Sequence, residues 1–391
     1  MIRKLADLEL AEKVVFLRVD FNVPIEEGRI TETHRIDSAL PTVRFILERA
    51  RKVVIASHLG RPDGKVMPRY SLTPVREHLE NALQQPVVLA PDCVGPQVER
   101  IVHDASNRII LLENLRFHKE EEKNDSGFSQ ALASLADVYV NDAFGAAHRA
   151  HASTAGMAGF FKLKAAGLLL QKELEYLARI LTNPEKPFVM ILGGAKVSDK
   201  IGVIRNLLRK IDALLVGGGM AYTFLRAQGV PIGRSLVEQD RVALAGDLLK
   251  EAADHGVEVL LPVDHVTGDA ERKNPQTCEG RIPPERIGLD IGPRTTETFA
   301  GEIRKAKTVL WNGPVGLFEL PPYDQGSRAL AETLARNPRI LSIIAGGDTV
   351  AAVTASGLET KITHLSTGGG ATLEFLEGKT LPGIKALEDD R

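Results

Sequence analysis

Short apolar, β-branched runs return along the whole chain, each separated from the next by a segment whose apolar residues have helical spacing. The first series comprises Val14 to Val19, Val53 to Ala56, Val87 to Ala90, Ile109 to Leu112 and Val138 to Val140. Runs this short and this uniformly apolar read as strands buried on both faces, the condition of a parallel sheet covered by helices. The intervening stretches SALPTVRFILERA from Ser38 and QALASLADV from Gln130 carry the helical period that the crossovers need. Alternating β and α elements predict an α/β fold with a doubly wound parallel sheet.

After His151 the rhythm breaks into small residues and glycine (ASTAGMAGFFKLKAAG), then resumes as an amphipathic run from Leu168 to Leu181 that stops at Asn183-Pro184. A second series follows: Phe188 to Leu192, Ala213 to Val216, Val257 to Leu261, Thr308 to Trp311, Leu341 to Ala345 and Ile362 to Leu365. With 391 residues the chain exceeds the usual size of one core. The pattern therefore predicts two α/β lobes, 1–166 and 185–371, joined by a long helix over 167–184. No fixed-period repeat or low-complexity tract is present.

Composition narrows the function classes. Lys and Arg number 49 against 51 Asp and Glu, so the broad positive field of a nucleic-acid binder is missing. The start, MIRKLADLELAEK, lacks the apolar core of a signal peptide, and no run approaches the ~18 apolar residues of a membrane span. Cys93 and Cys278 fit neither a metal-ligand spacing nor a disulfide framework, and read as reduced thiols of a cytoplasmic protein.

In parallel α/β sheets ligands bind beyond the carboxyl ends of strands. In the first half those positions hold Asp20-Phe21-Asn22, Ser57-His58-Leu59-Gly60-Arg61, Glu113-Asn114-Leu115-Arg116 and Asn141-Asp142, with His148-Arg149-Ala150-His151 just beyond. Guanidinium forks match carboxylate and phosphate oxygens, so several at one sheet edge suit a small polyanion. Arg35, at a helix start, is placed to reach the same edge. Arg18 lies inside the strand pattern and reads as structural. His148 and His151 lack a third ligand and do not read as a metal site.

The second half ends its strands in glycine: Gly193-Gly194-Ala195-Lys196 running to Lys200, Gly217-Gly218-Gly219, Gly346-Gly347-Asp348-Thr349 and Gly368-Gly369-Gly370. Glycine lets a ligand approach the backbone, and free amides at a helix start attract negative charge. Together with the two lysines these turns point to nucleotide phosphates. Gly378-Lys379-Thr380 imitates the end of a P-loop, but Leu373 stands where that motif needs glycine. Tyr222 and Leu373 likewise interrupt G-x-G-x-x-G, and the protein-kinase signatures are missing.

These residues, in the motifs RVDFNVP, SHLGRPDGK, LLENLRFHKEEEKND, VNDAFGAAHRAHAST, ILGGAKVSDKI, GGGMAYTFL, LDIGPRT, VLWNGPVGLFE, GGDT and LSTGGGATLEFLEGKTLPGI, closely resemble the phosphoglycerate kinase family over essentially the whole chain. The resemblance implies two lobes with a hinge, the first taking the phosphoglycerate and the second the magnesium nucleotide, with a tail, 372–391, packing back on the first lobe. It assigns Asp20, Phe21, Asn22, Arg35, His58, Leu59, Gly60, Arg61, Arg116 and Arg149 to the acid. It assigns Lys200, Gly217, Gly218, Gly219, Gly288, Glu319, Gly346, Gly347, Asp348 and Thr349 to the nucleotide, with Glu319 at the ribose and Asp348 at Mg²⁺. Arg35, Lys196, Gly369 and Gly370 are the implied catalytic groups for the phosphoryl in transit.

The implied reaction is reversible transfer between 1,3-bisphosphoglycerate with ADP and 3-phosphoglycerate with ATP, in a monomer with no nucleic-acid or membrane partner. The acceptor carboxylate, with a reference pKa of about 4, is ionised at neutral pH and needs no general base. Catalysis then rests on positioning and charge neutralisation after hinge closure. Another acid kinase, acting on acetate or carbamate, is the rival enzyme; the many first-half arginines favour an acid carrying its own phosphate. A hinged solute-binding protein is the non-enzymatic alternative, and would ordinarily carry an export signal.

Overall fold

The longer apolar runs, among them Val14–Arg18, Phe188–Leu192 and Leu341–Ala345, become strands with every residue buried. A computed structural model describes residues 2–388; residue 1 of the expected first lobe and 389–391 of the expected tail lie outside the described residues. The first sheet contains β1 (Val14–Arg18), β4 (Lys52–Ala56), β5 (Val88–Leu89), β6 (Ile109–Leu111), β7 (Val138–Asn141) and β8 (Lys164–Ala166), while β2 (Ile25–Glu26) and β3 (Arg29–Ile30) pair as a small hairpin. Strand order is β5-β6-β4-β1-β7-β8, with parallel pairing throughout, as in Val15 opposite both Val53 and Val138. The chain leaves β1 toward β4 and later returns on the other side as β7, so the crossover direction reverses between β1 and β7.

The second sheet is built likewise from β9 (Phe188–Leu192), β10 (Ala213–Val216), β11 (Glu258–Leu260), β15 (Thr308–Asn312), β16 (Leu341–Ala345) and β17 (His364–Leu365), in the order β11-β10-β9-β15-β16-β17. Its reversal falls between β9 and β15. Each sheet has its own core: Val15, Leu17, Val53, Ile55 and Val140 in the first, Val189, Ile191, Leu215, Trp311 and Ile344 in the second.

Two elements depart from the sequence expectation. β8 is Lys164-Ala165-Ala166, without a β-branched residue, and is a strand because it completes the edge beside β7. The second unit also carries an antiparallel sheet, β13-β12-β14, from Gln276–Glu279, Asp264–Gly268 and Ile287–Ile291. Its outer strand, Gln276-Thr277-Cys278-Glu279, is mostly exposed and polar, so no apolar run announces it.

Contacts divide the chain into two compact units, one holding residues up to Glu175 together with those from Thr380 on, the other Tyr176–Lys379. The division falls inside the helix Leu168–Thr182. Residues 372–379, expected in the tail, stay with the second unit, because the helix Gly370–Leu376 packs on Ile201–Leu207 and Asn206 Nδ2 donates to Leu376 O at 2.7 Å. From Thr380 the chain belongs with the first unit: Gly383 N donates to Ala147 O at 2.9 Å, and Ile2 bridges Glu388. Among the described residues no helix is long and apolar enough to cross a membrane.

Candidate active site

The four basic loops leave the carboxyl ends of β6, β4, β1 and β7, which stand side by side. Asp20 takes Arg35 Nη1 at 2.8 Å and the amide of Asn22 at 3.1 Å. Asn22 Oδ1 accepts from the amide of Gly60 at 2.8 Å, tying the first loop to the second. Arg116 Nη1 donates to Gly60 O at 2.8 Å and its Nε lies 3.2 Å from Glu122, so the third loop joins them. Arg149 Nε donates to His148 Nε2 at 3.1 Å, and Arg61 is exposed. Phe21 and Leu59 are core members; their side chains are committed to packing.

Electrostatics at this edge are set by crowded cations. Burial first, then Arg149 and Arg18, hold the Arg116 guanidinium below its usual range, with Glu122 opposing. Burial would raise the Asp20 carboxyl, but Arg35, His58, Arg18 and the Asn22 amide outweigh it and hold it low. Burial likewise presses His58 well below the usual imidazole range; Asp20 opposes, while Arg18, Arg116 and Arg35 add to the depression. His151 is pushed down to about 3 by burial and by Arg18, Arg116, Arg149 and His148. Both imidazoles are neutral at pH 7, so the local field is carried by guanidinium groups, which suits an oxyanion.

Arg18, read from sequence as structural, is the hub behind this surface. It is fully buried and donates from Nε to Ser153 Oγ at 2.8 Å; Ser153 Oγ in turn donates to Glu121 at 2.6 Å. Arg18 Nη2 stands 3.2 Å from His58 Nδ1. A guanidinium has no acceptor, so Nδ1 carries the lone pair and the proton sits on Nε2. Asn114, also fully buried, accepts from Leu59 N at 3.1 Å and Arg116 N at 3.0 Å and donates to Leu59 O and Tyr70 O. The available signal for Arg18 was a charge within an apolar strand, which demands buried partners. His148 and His151 fall in no three-ligand cluster among the described residues.

On the second unit, the glycine turns meet at the β9/β15 reversal. A Cβ at Gly193 would lie 2.1 Å from Pro314 O; at Gly217, 2.6 Å from Val315; at Gly218, where φ is +63°, 2.7 Å from Gly194 N; at Gly219, 2.9 Å from Leu236. Gly193, Gly217 and Gly218 are required by the packing of the turns on one another, whereas Gly219 meets only the end of a half-exposed leucine side chain that can move aside. Gly288 lies in β14, where a Cβ would meet the Tyr222 hydroxyl at 2.1 Å. Gly347 is different: its backbone is ordinary and a Cβ would meet nothing within 4 Å.

Around Gly347 the polar groups converge. Lys200 Nζ donates to Asn312 Oδ1, Asn312 Nδ2 donates to Ala345 O at 2.9 Å, and Thr349 Oγ1 accepts from Gly313 N at 2.6 Å. Burial lowers the Lys200 ammonium, with Asp199 and Asp348 opposing. Gly346, at φ +94°, caps the helix Gly347–Ala355, and exposed Asp348 lies in its first turn. Gly369, at φ +51°, caps Gly370–Leu376. Glu319 is exposed on a loop held to β14 by Leu317 N and Leu289 O, 2.8 Å apart. Lys196 is exposed, on a loop that Glu238 grips through the amides of Val197 and Ser198 at 2.5 and 3.1 Å. Glu238 and Asn312 were not foreseen; Asn312 directly follows the apolar run Thr308 to Trp311, a strand-end position that could have marked it, whereas nothing local in sequence marks Glu238.

The family model described as phosphoglycerate kinase matches residues 5–379. The chain belongs to the phosphoglycerate kinase family. It is 54% identical over 395 residues to the phosphoglycerate kinase of Anaeromyxobacter dehalogenans strain 2CP-1, covering 99% of this chain and 100% of that one. The Moorella thermoacetica phosphoglycerate kinase is 54% identical over 389 residues, covering 98% of each. Among solved structures, the Coxiella burnetii phosphoglycerate kinase matches with a TM-score of 0.86 at 42% identity, over 99% of both chains. That of Pyrococcus horikoshii OT3 matches at 0.88 and 32% identity, over 99% of this chain and 98% of the other. The activity is thus phosphoryl transfer with a carboxyl acceptor: 1,3-bisphosphoglycerate and ADP give 3-phosphoglycerate and ATP, reversibly.

Proposed function

We propose that the first unit binds the acid through Asp20, Asn22, Arg35, His58, Arg61, Arg116 and Arg149, on loops whose shape Phe21, Leu59 and Gly60 fix through packing and through amides bonded to Ser57, Asn114 and Asn22. The second unit binds the nucleotide through Lys200, Glu319, Gly346, Gly347, Asp348 and Thr349. Gly217, Gly218, Gly219 and Gly288 shape the adenine side, all but Gly219 by letting the turns pack. The observation that carries the reading is the convergence of guanidinium groups on one sheet edge, against a lysine, an acid and an open glycine on the other.

Arg35, Lys196 and the amides of Gly369 and Gly370 neutralise the phosphoryl group in transit, where charge is costliest. Magnesium fits one exposed carboxylate beside phosphate oxygens, the donor set that Asp348 offers. When bound, it supplies charge neutralisation at those oxygens. The ligands belong to separate units, so a closing step completes the assignment, in a cytoplasmic monomer.

Steady-state kinetics with Mg·ATP and 3-phosphoglycerate test the division of labour. Arg116→Ala and Arg149→Ala should raise KM for the acid alone, Lys200→Ala and Glu319→Ala that for the nucleotide alone. A crossed result would reject it. Solution scattering tests closure: both ligands together should compact the protein more than either alone, and equal radii in all states would refute it. Sedimentation tests the monomer.

A further inference from the structure

Asp92, Cys93 and His118 come from two loops of the first unit, beyond the carboxyl ends of neighbouring β5 and β6. One ligand atom from each lies within 4.8 Å of the others. His118 Nε2 is 2.5 Å from Asp92 Oδ1, and its ring stacks on Phe128 with centroids 4.9 Å apart. The Cys93 thiol donates to Glu113 O at 2.9 Å. Cys93 is fully buried, whereas the side chains of His118 and Asp92 are 26% and 50% exposed. The cluster therefore has a closed sulfur floor and an open polar side.

One thiolate, one imidazole and one carboxylate form a donor set that tetrahedral zinc uses, with a fourth position left to water. We propose that Asp92, Cys93 and His118 form a binding site for a thiophilic divalent cation of the zinc class, separate from the magnesium nucleotide site. Binding replaces the Cys93 S–H bond by a sulfur–metal bond and releases that proton to solvent; the neutral His118 ring moves its proton from Nε2 to Nδ1, and the Nε2–Asp92 hydrogen bond is exchanged for one metal bond to Nε2 and one to an Asp92 carboxylate oxygen. Without metal, burial and the carboxylates of Asp92, Glu121 and Glu113 hold the thiol protonated. A dication reverses that balance, since thiolate is the form it binds.

Occupancy also removes the thiol donor from Glu113 O, the residue before Asn114, whose side chain holds Leu59 and Arg116 in place. The cation is thus expected to weaken acid binding from outside the acid site.

Cobalt titration of the full-length, chelator-treated protein tests the site by thiolate-to-cobalt charge-transfer absorption, independently of activity. One equivalent should produce the band and zinc should displace it. Cys93→Ser should abolish the band, His118→Ala should weaken cobalt binding on the order of tenfold or more, and Cys278→Ser should leave it intact. If Cys93→Ser does not fold, the His118 and Cys278 variants decide. No band under excess cobalt, a band lost with Cys278, or one unaffected by His118→Ala would overturn the proposal.

Discussion

Arg18 Nη2 lies 3.2 Å from His58 Nδ1, and this contact determines which nitrogen of His58 carries the proton. Because the guanidinium can only donate, His58 presents Nε2–H, a neutral donor suited to an oxyanion. The phosphate of 3-phosphoglycerate ionises at about pH 6, so any break there in the pH profile of KM should come from the substrate and persist in His58→Gln, since burial holds His58 well below 6.5. His58→Gln, which keeps an N–H at a similar reach, should retain more affinity than His58→Ala. A break in the wild type that disappears in His58→Gln would contradict the neutral assignment.

Arg35→Ala or Lys196→Ala should lower turnover by on the order of a hundredfold or more. Far-ultraviolet circular dichroism should be unchanged, because both side chains lie at the surface of their unit and Arg35 is 27% exposed. Near-wild-type turnover in either variant would remove that residue from the transfer step.

Gly347 and Gly218 should separate binding from folding. Gly347→Ala meets no neighbour and needs no unusual backbone, so its melting temperature should hold or rise slightly while nucleotide KM increases. Gly218→Ala combines φ +63° with approach to the Gly194 backbone, and should cost about 2 kcal/mol of stability. Thermal melts with and without nucleotide distinguish the two.

His265 is 1% exposed, and neither ring nitrogen has a hydrogen-bond partner. Burial lowers it from 6.5 to about 4, with Asp264 opposing. An unfolded chain takes up this proton first, so its contribution is complete above pH 6.5 and is lost as pH falls toward 4, on the order of 3 kcal/mol. His265→Val, apolar and β-branched in a strand, should flatten this loss. Urea melts of both proteins across that window check it; parallel pH dependences would exclude His265 as a source.

Much of the layer order was legible because burial on both faces leaves a local mark. Val14–Arg18 and Leu341–Ala345 are continuous runs and became central strands. Gln276–Glu279 is mostly exposed and polar although it pairs in a sheet, and left no such mark. The candidate site shows the same split. Arginines after strands could be read as facing one edge, since strand ends of a parallel sheet share a side.

The sequence by itself determined the two α/β units and the chemical character of each set of strand ends, because hydrophobic period and residue type are properties of neighbouring positions. Only the tertiary structure decided that Gly217 serves packing and Gly347 does not, that Arg18 fixes which His58 nitrogen carries the proton, and that Cys93 meets His118. Those outcomes depend on which distant side chains share a desolvated space, where a single hydrogen bond or a missing Cβ selects one arrangement, and no local spacing records that choice.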